Sequence, residues 1–333
     1  MMEDESTIER IVRAANPARS EFPRPDAAAL ARRDRIMRTA ESKTRRARRV
    51  RAGWIGAATA AVAVTAVVFA SVLVPRVDAV AGTPEPLKFT GDQTAAQIID
   101  TAQKTLADVP GPAEPQRKVE TVTWAIMFDA EKGKMMDDGP IRPEFTTSTW
   151  EPDLTGRVVV KAVKPYLPGE QENGRPEIVF TDKVLRDDHL TAEENATPVV
   201  EPPGDSTEDV RAMLTAYGMP ENPKPDEVTS AINTSLQFWT LTNKQQIAML
   251  DILEQSGKIT ALGVTKDRLG RPVAGLSMPS SGGYNTETLL ISLDTGRIVG
   301  AETRREKLDK ALPIPKGTIM SYTLWDVSEG NLE

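Results

Sequence analysis

Few residues in this chain are equipped for chemistry. The single histidine, His189, stands in the run Asp187-Asp188-His189. An imidazole beside carboxylates can bind a metal or move a proton. Three adjacent residues supply too few ligands for that, and the spacing sets out no distant partner. An exposed histidine beside acids fits the run better. Cysteine is absent, which excludes thiolate catalysis, disulfides and cysteine-based metal sites. No G-x-S-x-G elbow, G-x-x-x-x-G-K-[ST] phosphate loop or G-x-G-x-x-G turn occurs. Asp and Glu are plentiful, so a carboxylate pair remains open, although acids on an acidic surface mostly solvate it. Trp124, Trp150, Trp239 and Trp325 could line a groove, but packing in a core suits each of them better. No residue is singled out as catalytic, cofactor-binding or metal-binding. The reading is of a protein that is not an enzyme and needs no cofactor.

The organising element is the stretch Ala52 to Val74, 23 residues without a charge. That is long enough to cross a bilayer as one helix. The run Lys43 to Arg51 directly before it holds six cations in nine residues, and Pro75 and Arg76 follow it. By the positive-inside rule the N-terminus is cytosolic and the C-terminus lies outside. Ala79-Val80-Ala81 has the form of a signal-peptidase site. The apolar run is longer than an ordinary signal sequence allows, which favours a retained anchor.

Charge divides along the same line. Residues 1–51 carry 14 Lys and Arg against 8 Asp and Glu, a net of +6. The remainder carries 27 against 40, a net of −13. The basic leader suits anionic lipid head groups. The acidic remainder argues against nucleic acid as a ligand.

Four segments follow from this: a cytosolic basic leader (1–51), a transmembrane helix (52–74), a linker (75–90) and an extracytoplasmic domain (91–333). In the leader, Ile8, Ile11, Val12 and Ala15 form one apolar stripe, and Asp26 can cap a second short helix. Two such helices need a partner to fold against. The linker assignment rests on Pro84 and Pro86 within Asp78 to Phe89.

Beyond the linker, helices are expected over 93–107, 206–217, 226–236 and 243–255. The last should cover a sheet face through Ile247, Leu250 and Leu253. Strands are expected over 118–128, 145–150, 157–163, 178–185, 259–266, 273–278, 286–293, 297–306 and 319–327. Asp294-Thr295-Gly296 makes a hairpin turn, and Asp188 to Asp205 reads as an acidic surface loop. Strands, then helices, then strands argue an α+β domain of antiparallel sheet with packed helices. The strands on the two sides of the acidic loop are expected to share one core, because either set alone leaves edges open.

Three stretches carry a family resemblance. They are PRPDAAALARRDRIM with RRARRVR and the apolar span, TSTWEPDLTGRVVV, and QIAMLDILEQSGKITALGVTKDRLGRPVAGLSM with TETLLISLDTGRIVGAETRR. Together they resemble uncharacterised actinobacterial single-pass membrane proteins often encoded beside extracytoplasmic-function sigma factors. The layout resembles that of membrane-bound anti-sigma factors, without the zinc-binding His/Cys motif many of those carry. The outer domain also resembles the open half-barrel of periplasmic lipoprotein carriers and envelope-stress sensors. The resemblance implies a regulatory, envelope-sensing protein with the lipid bilayer, a cytosolic sigma factor and an envelope ligand as partners. The alternative is a tethered envelope carrier for a lipid or a peptide.

Overall fold

The computed structural model describes residues 83–126, 140–167, 178–308 and 314–327, with the backbone alone of 128–129 and 134–135. The leader and the 52–74 stretch lie outside the described residues, as do residues 75–82 of the linker. Among the described residues no helix is long and apolar enough to cross a membrane.

Helix α1 (Ala95–Asp108) opens the fold. Strands β1 (Lys118–Ala125), β2 (Phe128–Asp129), β3 (Lys134–Met135), β4 (Glu144–Trp150), β5 (Gly156–Val163) and β6 (Phe180–Leu190) follow. Three helices then come in succession, α2 (Thr207–Ala216), α3 (Pro225–Ser235) and α4 (Asn243–Gln255). The chain returns to sheet with β7 (Thr260–Lys266), β8 (Pro272–Pro279), β9 (Asn285–Ser292), β10 (Ile298–Arg305) and β11 (Ile319–Leu324).

Each helix start has a local cause. Thr94, Ser206 and Thr242 each close a capping box with the residue three positions on, which satisfies backbone donors the helix leaves open. Pro225 begins α3 with its φ already set, and the Lys224 N–H donates to Glu227 Oε2 at 2.7 Å. At the β9–β10 turn, Gly296 has φ +72°, and a Cβ there would stand 2.2 Å from the Ala102 carbonyl. Glycine therefore lets α1 sit directly on that turn.

Nine strands form one antiparallel sheet in the order β6-β5-β4-β1-β11-β10-β9-β8-β7, while β2 and β3 pair only with each other. The first and last strands meet in the middle, Val122 opposite Leu324 and Ala125 opposite Ser321. The strands made before the helices and those made after them are thereby one sheet. One face packs against the helices through Leu276, Met278, Leu289, Ile291 and Ile298. The opposite face carries Val122, Phe145, Val273, Leu290, Tyr322 and Leu324. Helix α4 is buried on several sides rather than along one stripe: Gln245, Gln246, Met249, Leu250 and Leu253 are all buried, because α1, α2 and α3 surround it.

Three boundaries differ from expectation by three residues or more. The first strand ends at Ala125. The last ends at Leu324, after which the Trp325 N–H donates to Val299 O at 2.9 Å. Strand β6 continues to Leu190 because its charged residues pair with β5, Asp187 opposite Val159 and His189 opposite Arg157. The acidic loop thus starts later than Asp188.

Candidate functional site

His189 lies on strand β6, exposed, and not on a loop. Asp187 accepts two bonds from Arg157, from Nε at 2.8 Å and Nη2 at 2.7 Å. Asp188 pairs with Arg186 at 3.0 Å. This run is the charged outer strand of a sheet. Among the described residues no group of three or more His, Asp or Glu could hold a metal. Trp150, Trp239 and Trp325 are buried in the core, as packing predicts. The Trp150 indole N–H donates to Phe238 O at 2.7 Å, and its ring meets Trp239 edge-on at 4.9 Å.

A cavity of about 210 Å3 opens where β1 and β10 diverge past the end of β11. Lys118, Glu120, Trp239, Gln246, Arg297 and Trp325 are among its walls. Its volume is below the ~300 Å3 at which ligand pockets ordinarily begin. Its central cation is already engaged. Arg297 donates from Nε to Asp326, from Nη1 to Asn243 Oδ1 at 2.8 Å, and from Nη2 to Leu241 O at 3.0 Å. Asn243 in turn donates to Leu106 O at 2.9 Å and Val109 O at 3.0 Å. Arg297 therefore ties the C-terminal segment, the start of α4 and the end of α1 together. Its geometry is that of a staple.

The second concentration of charge lies on the sheet face away from the helices. In the β7–β8 turn, Asp267 accepts from the Leu269 and Arg271 amides, each at 2.9 Å, and from Arg271 Nε at 2.7 Å. Arg271 also donates to Trp325 O at 2.8 Å and Val299 O at 2.9 Å. Arg268 is wholly buried. Its Nε reaches Glu302 Oε1 at 2.6 Å, and its guanidinium carbon lies 4.8 Å from the Tyr322 ring centre. Burial pushes the Glu302 carboxyl above its usual range, and the Arg268 charge pulls it back.

This network also explains why residues 83–90 are not a free linker. Arg268 Nη2 donates to Glu85 O at 2.9 Å. Leu87 and Phe89 pack against the apolar cluster of this face. Thr90 exchanges two backbone bonds with Val264, at 2.9 and 2.7 Å. Composition reads Pro84 and Pro86 as linker residues. The alternation of half-buried Leu87 and Phe89 with exposed Lys88 and Thr90 is the signal that could have found the strap.

No protein-family model matches the chain, and no characterised protein matches it by sequence. Among solved structures it is similar to an outer membrane lipoprotein-sorting protein domain from Vibrio parahaemolyticus. That likeness has 10% identity, 72% of this chain covered, 97% of the other, and a TM-score of 0.21. A dehydratase domain from the CurK module of curacin polyketide synthase follows at 8% identity, with 70% and 80% covered and a TM-score of 0.14. Likenesses this remote say nothing of what the present chain does.

Proposed function

We propose that this is a membrane-anchored regulatory protein. Its folded domain reads a state of the envelope, and its basic leader engages a cytosolic partner, a sigma factor first among them. The observation that carries the reading is the division of the sequence. A leader of net +6 and a remainder of net −13 flank 23 uncharged residues, with the densest cations on the leader side. Two features of the domain weigh against the lipid-carrier alternative. The helix-facing side of the sheet is filled by its own side chains, with Leu250, Leu276, Met278 and Leu289 fully buried. The cavity beside it is small and lined by an engaged arginine. A lipid carrier needs a large apolar volume, and among the described residues the helix-facing side of the sheet is taken up by side chains instead.

The test is co-purification of the full chain, cross-linked in its native membranes, with the sigma factors of its own cell. A sigma factor should be captured, and the triple variant Ile8→Asp, Ile11→Asp, Val12→Asp should lose it, since those residues make the leader's apolar stripe. Capture of none of them would remove the regulatory reading.

A further inference from the structure

The strap at residues 83–90 sits in a site shaped for it. Three contacts hold an extended main chain with little regard for sequence. A fully buried guanidinium, Arg268, donates to the Glu85 carbonyl at 2.9 Å and is itself held by Glu302 and Tyr322. Val264 at the sheet edge exchanges both backbone bonds with Thr90. Gly263, at φ +91°, leaves room for the Thr90 carbonyl, which a Cβ would meet at 2.2 Å. A fourth contact is selective. Gly275, paired across the strands with Gly263, has no side chain where the Phe89 ring lies. A Cβ there would stand 2.4 Å from the ring. Leu87 packs on the same apolar cluster, which includes Leu269, Val273 and Leu290. Paired strand glycines commonly mark the close approach of another backbone or a ligand.

We propose that this face is a recognition groove for an extended peptide bearing large apolar residues at alternate positions, an aromatic foremost, and that the strap is its resident occupant. The mode joins one edge-strand pairing to side-chain pockets of alternate spacing, as in strand addition to a sheet edge. The strap's own contacts give the occupant's chemistry: a carbonyl for Arg268, a large aliphatic residue, then an aromatic two residues later over Gly275. Tethering gives the strap a high local concentration, so a peptide in trans binds in proportion to the fraction of chains with the strap released. This inference is independent of the sigma-factor reading.

The experiment uses the full chain in detergent micelles and a fluorescein-labelled peptide, TPEPLKFTGD, matching residues 83–92. In an anisotropy titration the Phe89→Ala chain should bind the peptide at least about tenfold tighter than the unaltered chain. The same peptide with alanine for its phenylalanine should lose that gain, and so should the chain carrying Gly275→Val as well. Faster hydrogen exchange at Thr90 and Val264 in a folded Phe89→Ala chain, with no gain in peptide binding, would overturn the proposal. Should Phe89→Ala fail to fold, a chain with a protease site between Asp92 and Gln93 decides. After cutting, saturable exchange of labelled peptide for the strap supports the groove. A cut strap that resists excess peptide, or that leaves with no peptide taken up, refutes it.

Discussion

The two ends of the nine-stranded sheet manage the same problem differently. At the β7 end, β8, β9 and β10 are buried along most of their length, with helices on one face and the strap and the Arg268 network on the other. At the β6 end the outer strand is half-buried or exposed throughout. An unpaired strand edge is a template for aggregation. Strand β6 blunts its edge with Asp182, Lys183, Arg186, Asp187 and Asp188, whereas β7 has its edge met by Thr90. Alternation of apolar and polar residues therefore makes strands at both ends, while coverage decides how much stability each end contributes.

The sharpest way to break this contrast is to strike the covered end. Arg268→Met leaves Glu302 buried without the cation that hydrogen-bonds it and should cost about 3–5 kcal/mol in urea unfolding at pH 7. Adding Glu302→Leu should recover part of that loss, since an apolar pair avoids desolvating a charge. A double variant as unstable as the single would show that Arg268 acts through Glu85 instead. The next effect depends on pH. Glu287 lies on β9 facing the helices, with Thr303 Oγ1 donating to it at 2.8 Å. Burial foremost, and the Asp226 charge after its Thr303 bond, set its carboxyl, which is pushed up to about 7 from 4.5. Below about pH 4.5 the group is protonated in the folded and unfolded chain alike. As pH rises toward 7 the unfolded chain releases the proton first, so folding loses stability until both forms are ionised. Glu287→Gln should therefore raise stability at pH 8, by about 3 kcal/mol at most, and change little at pH 4. The side chain is only half-buried, so the gain in a pair of thermal melts should fall below that ceiling. The smallest effect belongs to the open end. Asp187→Asn removes an exposed pair with Arg157 and should move the melting temperature by no more than about 2 °C.

Much of this architecture could be read from residue patterns. Helix α4 matched its expected bounds because Asn243 follows a capping threonine and Gly257 lies just past its end. Most strands fell within a residue or two, since turn residues bracket Val- and Ile-rich runs. The join of β1 with β11 was expected only as a shared core, because alternation fixes which face a strand buries and not which strand it sits beside. The expected strand stops short of Leu190 because Asp187, Asp188 and His189 have poor strand propensity, which pairing with β5 outweighs. The candidate site was least legible. Arg268 and Glu302 are ordinary surface types in a sequence, and their burial depends on a partner 34 residues away. The strap was hidden by its prolines, although Leu87 and Phe89 kept the two-residue period throughout.

The place of β11 has a bearing on how the protein comes into being. A ribosome delivers β1 long before β11, with the whole helical layer between. Until residues 319–324 emerge, β1 has no neighbour on one side and β10 has none either. The nascent chain thus carries β1 with its inner edge exposed from the time that strand is made until Ile319 emerges, and β10 joins it with a second open edge only shortly before. Pairing across about 200 residues closes late and slowly. Whatever shields those edges in the cell must act on the growing polypeptide, and a chain that stops short of Ile319 keeps both of them open.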